Sequence, residues 1–283
     1  MDPQLRARIA GAVGPVATVG RVSGGDFAEA YAVELVDGGR VFAKTHRRPP
    51  PEFFSTEAAG LRWLREAEAL PVPQVLAVLD DDPAGLILEW VDEGGRSDEA
   101  DFGRRLATLH AAGAPAFGRS DGRTTGSLAL PNEPCPTWAD FYATRRLLPL
   151  ARIAADRGAL PASSIGAIES VADQLDRYGA ADEAPARIHG DLWAGNRLVD
   201  RQGRSWLVDP AAHGGHREFD LAMMRLFGGY GDAAFRSYDE VAPLADGWED
   251  RIDLHQLAPL IVHAIKFGGG YVAAVDGALG RLA

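Results

Sequence analysis

The stretch ARIHGDLWAGNRLVDRQGRSWLVDPAAHGGHREFD, residues 186–220, decides how the rest of the chain is read. Asp191 and Asp209 each close a short β-type run, and Asn196 follows Asp191 at the spacing D-x-x-x-x-N. Phosphoryl transfer needs this set. One carboxylate must stay open toward an acceptor hydroxyl, while an amide oxygen and a second carboxylate hold the metal ions that neutralise nucleotide phosphates. Asp191 is therefore expected as the catalytic carboxylate, with Asn196 and Asp209 as Mg²⁺ ligands. RLVD (197–200) and SWLVD (205–209) flank the turn Arg201-Gln202-Gly203-Arg204 and predict a β-hairpin. Such a hairpin returns the chain to where it left, so Asp209 can face Asn196 across one metal-sized space.

At 283 residues the chain is long enough for one or two domains with a substantial core. Its 46% hydrophobic and 24% charged residues are those of an ordinary globular protein. The net charge of −11 argues against nucleic acid or an anionic membrane as the main partner, but not against ATP, which is bound by local groups and metal. Cys135 is the only cysteine, so no intrachain disulfide forms and a reducing compartment is expected. The N-terminus lacks a signal-peptide core, and LAPLIVHAIKF (257–267) is too short to span a bilayer and carries Pro, His and Lys. The expectation is a cytoplasmic enzyme without a membrane or nucleic-acid partner.

Upstream, the period of apolar residues predicts a small lobe. Residues 1–13 form a helix with Leu5, Ile9 and Val13 on one face. VATVGRV, FAEAYAVELV and RVFAKTH are strands, and QVLAVLD and LILEWV are two more. Between the first two strands lies Ser23-Gly24-Gly25-Asp26; Gly24 and Gly25 can lay bare backbone N–H groups against phosphate. Lys44, one strand further on, stands where the protein-kinase pattern places its phosphate-binding lysine. Its acidic partner is expected on the following helix, STEAAGLRWLREAEAL (55–70), as Glu57 in the first turn, with Glu52 and Glu66 as rivals. Glu89 and Val91, at the start of a Gly-rich hinge, would offer backbone C=O and N–H groups to an adenine edge. From residue 97 the chain turns helical, with Ser97 as a candidate N-cap and one helix over 137–156. Residues 113–136, rich in Gly, Pro and Thr, form a long loop that can line the acceptor site.

With these residues in hand, the chain resembles the fructosamine kinase (ketosamine 3-kinase) family, a branch of the aminoglycoside-phosphotransferase and choline-kinase group. HGDLWAGN (189–196) and DPAAHGGHREFDLAMMRLFGG (209–229) carry the likeness, with TWADFYATRRL (137–147) a looser third block. The resemblance implies an α+β, two-lobed protein-kinase-like fold. A five-stranded antiparallel sheet plus a helix would form a nucleotide-binding lobe over residues 1–91. A larger, mainly helical lobe over 92–283 would carry the catalytic hairpin and bind substrate.

It further implies Asp191 as base, Asn196 and Asp209 on Mg²⁺, and Lys44 on the ATP phosphates, paired with Glu57. Trp193 would pack on the substrate sugar, His189 would brace the catalytic loop, and Asp220 would accept hydrogen bonds from that loop's backbone. The implied reaction is ATP-dependent phosphorylation, at the sugar 3-position, of ketosamines such as ribulosamines or fructosamines, free or on a glycated lysine, in repair of glycated amines. Two departures from the wider pattern bear on regulation and on the glycine loop. Gly190 stands where protein kinases carry Arg, and only nine residues separate Asp209 from Phe219, so no activation loop fits. The loop SGGDFAEAY has Ala28 and Glu29 where relatives often have a small polar residue. The alternatives are another small-molecule kinase of the same branch, of aminoglycoside or choline type, or a catalytically silent nucleotide-binding protein.

Overall fold

The structure, a computed structural model, describes residues 1–22, 28–124, 126, 128–178 and 183–283. In chain order its elements are α1 (Pro3–Val13), β1 (Val16–Val22), β2 (Glu29–Leu35), β3 (Arg40–Thr45), α2 (Phe53–Arg65), β4 (Val75–Leu79), β5 (Gly85–Glu89), α3 (Glu99–Ala111), α4 (Trp138–Tyr142), α5 (Leu148–Asp156), α6 (Ala162–Ala172), β6 (Ala186–Ile188), β7 (Arg197–Val199), β8 (Ser205–Leu207), β9 (His213–Gly215), α7 (Arg217–Leu226), α8 (Asp232–Val241), α9 (Ile252–Phe267) and α10 (Gly270–Leu282). This is the α+β content expected from the alternation of period-2 and helical segments. The chain divides into two compact units, Met1–Asp98 with Asn196–Ala212, and Glu99–Gly195 with His213–Ala283.

The first unit is built on an antiparallel sheet of order β1-β2-β3-β5-β4. Strand alternation sends Val41 and Ala43 of β3 into a core with Leu5 and Ile9 of α1, Val33, Leu35 and Ile87. Each fully buried aliphatic side chain there contributes about 1.5–3 kcal/mol. Lys44, opposite Ala30 on β2 and Leu86 on β5, falls on the other face, toward α2. The hairpin β7–β8 folds with this unit, Arg197 opposite Leu207 and Val199 opposite Ser205. Its turn is organised by Asp200, whose carboxylate accepts from the backbone N–H of Gln202 (3.0 Å) and Arg204 (2.9 Å), and from Trp206 Nε1 (2.9 Å). Ser97 does not cap α3 as expected: the helix starts at Glu99, and the Ser97 hydroxyl lies 3.1 Å from that of Ser205.

The second unit buries a core from α4, α5, α6, α9 and α10, including Phe141, Tyr142, Leu150, Ile168, Leu257, Ile261 and Val275. The helix expected over 137–156 is interrupted by a π turn at Ala143–Leu147. Pro149 has no N–H to donate to the Arg145 carbonyl, which accepts from Arg146 Nη1 instead (2.9 Å). The long loop is tied down where Gly118 and Gly214 exchange both backbone hydrogen bonds (2.7 and 2.8 Å).

Helices α3 and α8 cross closely at Gly103, where a Cβ would sit 2.0 Å from the Ala234 carbonyl oxygen. That close approach seats His110 of α3 beside Tyr238 of α8. Gly103→Ala is expected to force the helices apart and to cost about 1–3 kcal/mol, read as a lower urea midpoint at unchanged m-value. An unchanged midpoint would show that the crossing tolerates a methyl group. Among the described residues, no helix is long and apolar enough to cross a membrane.

Candidate active site

In the first unit, Lys44 carries the chemistry. Its Nζ donates to Glu57 Oε1 at 2.9 Å and to Asp209 Oδ1 at 2.8 Å. The Lys44 and Glu57 side chains are 8% and 11% exposed, whereas that of Asp209 is 36% exposed. Burial alone would lower the lysine pKa, but the charges of Glu57 and Asp209 override it and raise the pKa above its ordinary value. Burial pushes the Glu57 carboxyl up while Lys44 opposes the shift. The ammonium therefore stays charged and aimed. Helix α2 begins at Phe53, so Glu57 lies beyond its first residues, Glu52 precedes it and Glu66 follows its end.

Asn196 and Asp209 flank the open end of the hairpin, where Val208 N–H donates to the Asn196 carbonyl at 3.0 Å. This is the closeness that the short β7–β8 connection predicts. Asp209, two residues past the end of β8, has φ 53°, a left-handed conformation that Asp tolerates better than most residues. Glu89 N–H donates to the Gln74 carbonyl (2.9 Å), its carboxylate accepts from Gln74 N–H (3.0 Å), and Val91 is buried. Gly24 and Gly25 lie outside the described residues.

In the second unit, β6 pairs antiparallel with β9 and delivers His189-Gly190-Asp191. Asp220 of α7, fully buried, accepts from His189 N–H (2.7 Å) and Gly190 N–H (2.9 Å). His189 Nδ1 in turn accepts from Asp191 N–H at 3.2 Å. Behind this, His110 Nε2 lies 3.3 Å from Asp220 and its Nδ1 2.7 Å from the Tyr238 hydroxyl. Burial alone would raise the Asp220 pKa; the hydrogen bond and charge of His110 and the loop amide of His189 outweigh it and hold the carboxyl below its ordinary value. An ionised Asp220 only accepts, so His110 donates to it through Nε2.

Trp193, two residues past Asp191, is 39% exposed. Its indole lies over Gly195, where a Cβ would come within 2.2 Å of the ring. Any side chain at 195 would displace it.

Two groups that position these side chains carry little signal in the sequence, where His110 reads as structural rather than catalytic. Asp200 reads as the end of a strand, although Asp at the head of a turn is itself a signal. His110 reads as an ordinary helix-end histidine because its partner Asp220 is 110 residues away. Among the described residues, His216, Glu218 and His255 also bring ligand-type atoms within 4.8 Å of one another. Both Glu218 oxygens are engaged by Arg251, at 2.6 and 2.8 Å, so this cluster is a buried ion pair.

Comparison with known proteins places the chain. The fructosamine kinase family model matches residues 4–283. The chain is 35% identical over 260 residues to a "probable ketoamine kinase" of Synechocystis sp., covering 88% of this chain and 85% of that protein. It is 33% identical over 266 residues to the chloroplastic protein-ribulosamine 3-kinase of Arabidopsis thaliana, covering 90% of this chain and 79% of the relative. A Thermobifida fusca crystal structure, provisionally assigned as a fructosamine-3-kinase, superposes with a TM-score of 0.91 at 42% identity and 99% coverage of both chains. The choline kinase LicA of Streptococcus pneumoniae, with a TM-score of 0.67 at 14% identity over 99% of this chain and 97% of that one, shares the fold.

Proposed function

The chain belongs to the fructosamine kinase family, and from that premise we propose that it transfers the γ-phosphoryl group of ATP to the sugar 3-hydroxyl of a ketosamine. The observation that carries this reading is the buried ammonium of Lys44, held by Glu57 and Asp209 at 2.9 and 2.8 Å. A positive charge fixed in advance, rather than recruited from solvent, is what stabilises charge developing on a phosphoryl group. Residues 1–91 would serve as the nucleotide-binding lobe and 92–283 as the catalytic and substrate-binding lobe.

Asn196 and Asp209 supply an amide oxygen and a carboxylate, hard donors that suit Mg²⁺. Asp209 engages Lys44 through Oδ1, so these two residues would hold the ion. When bound, Mg²⁺ supplies charge neutralisation on the nucleotide phosphates. Lys44 would donate to the same phosphates, and backbone groups of Glu89 and Val91 would meet the adenine edge.

Asp191 accepts the proton of the acceptor hydroxyl as that oxygen bonds to the γ-phosphorus. The bond to the β–γ bridging oxygen breaks, and ADP leaves with the electron pair. His189 and Asp220 keep the Asp191 loop in shape through the hydrogen bonds above, and Trp193 offers its apolar face to the sugar. Phosphorylation at this position weakens the sugar–amine linkage, which makes the reaction a step in deglycation.

The test is ADP release from Mg·ATP with ribulose-, erythrulose- and fructose-lysine, beside choline and an aminoglycoside. Turnover confined to the ketosamines is expected, and their rank order identifies the sugar. Turnover only on choline or the aminoglycoside would overturn the acceptor while leaving the phosphoryl chemistry in place.

A further inference from the structure

Beyond Trp193, a row of aromatic rings runs across the surface of the helical unit. Trp193 meets Phe227 edge-on, with ring centroids 6.0 Å apart at 74°. Phe227 follows α7 and meets His263 of α9 at 5.1 Å; His263 meets Phe267 at 5.6 Å and Tyr271 of α10 at 4.9 Å. His263 is fixed by its Nδ1–H, which donates to the Pro259 carbonyl at 2.8 Å.

Exposure separates this row from ordinary packing. Among the described residues, the exposed large aromatic side chains are Trp193 (39%), Phe227 (40%) and Phe267 (52%), and all three stand in it. The other exposed large hydrophobics, such as Val36, Leu76 and Val241, are aliphatic and scattered through the sequence, as on any soluble surface. Contiguous exposed aromatics instead mark a binding surface.

The row begins two residues from Asp191. A ketosamine has two chemically different ends: a sugar, whose hydroxyl must reach the base, and a protonated amine nitrogen with the carbon chain it belongs to. Ring faces attract a cation and cover methylene groups, and the chain's net charge of −11 favours a cationic ligand.

Resting on the ketosamine reading above, we propose that the row from Phe227 to Phe267 is the subsite for the amine end of the acceptor, with the charged nitrogen nearest Trp193 and Phe227 and an extended apolar chain reaching Phe267. The acceptors it fits are adducts of amines with a lysine-like methylene chain rather than adducts of small amines.

Phe267 touches neither Trp193 nor Asp191 by any ring contact or hydrogen bond in the structure, and its exposed ring can be removed without opening the core. Phe267→Ala is therefore the variant to assay, with two substrates sharing one sugar, ribulose-lysine and the ribulosamine of methylamine. KM for the lysine adduct is expected to rise about 5- to 10-fold, with kcat within about two-fold and KM for the methylamine adduct unchanged. Phe267→Tyr, which keeps the ring, should restore the wild-type KM. An equal change on both substrates, or no change on either while wild-type turnover is normal, overturns the subsite and leaves the kinase reading standing. Absence of wild-type turnover on both substrates would strike the kinase reading itself.

Discussion

Asp191→Asn is expected to turn over about 10²–10⁴-fold more slowly than the wild type, the range associated with loss of a general base, while binding ATP with unchanged affinity. The side chain keeps its size and polarity, and the loop that presents it is held through groups the substitution leaves alone. Asp191 N–H donates to His189 Nδ1, and the neighbouring amides of His189 and Gly190 donate to Asp220. Asn cannot accept the proton of an attacking hydroxyl as an ionised carboxylate does, so the loss should fall on kcat. Steady-state kinetics alongside ATP titration by calorimetry separates the two effects. Near wild-type kcat would remove Asp191 from its role as base, and weakened ATP binding would assign it to the nucleotide instead.

Lys44→Met is expected to lose about 10²–10³-fold in kcat/KM for ATP, comparable to removing one preorganised donor from a charge-stabilising site. It should also destabilise the fold, because removing the cation leaves Glu57 buried beside Asp209 with no counter-charge, a change that costs about 3–5 kcal/mol when a buried pair is broken. The pH dependence identifies the cause. Without Lys44, the folded-state pKa of Glu57 rises further above its ordinary value of 4.5. The folded protein then binds more protons than the unfolded chain, so stability falls as pH rises above that value. The deficit against wild type should be small near pH 5 and larger near pH 8 in urea melts. The double variant Lys44→Met/Glu57→Gln should recover stability but not activity. A deficit independent of pH would show that lost packing, not the orphaned carboxylate, sets the cost.

The local parts of this design are legible in the sequence, and the non-local parts are not. Alternation along RVFAKT places Val41 and Ala43 on one face and Lys44 on the other, and the structure keeps that register. The short connection between Leu198 and Trp206 predicts a hairpin, and therefore the closeness of Asn196 to Asp209. The Lys44–Asp209 contact joins residues 165 apart, and no periodicity reports it. The Tyr238–His110–Asp220 chain depends on a helix crossing set by Gly103, a glycine that reads as neutral in sequence. The π turn at Ala143–Leu147 arises from Pro149, which a helical pattern absorbs without showing where the register slips. The aromatic row is hidden for another reason: Phe227 and Phe267 look like core residues until their exposure is known.

The separation of Lys44 from Asp209 also sets an order in time. A ribosome adds about 5–20 residues per second, so the 165 residues between them take roughly ten to thirty seconds to emerge. During that interval the N-terminal sheet can form with Glu57 already beside Lys44, while Asp209 has not yet been synthesised. The nascent chain therefore has half of its charge clamp and lacks the carboxylate of the expected metal pair. The proposed phosphate site therefore stays incomplete until the hairpin emerges and folds with the sheet.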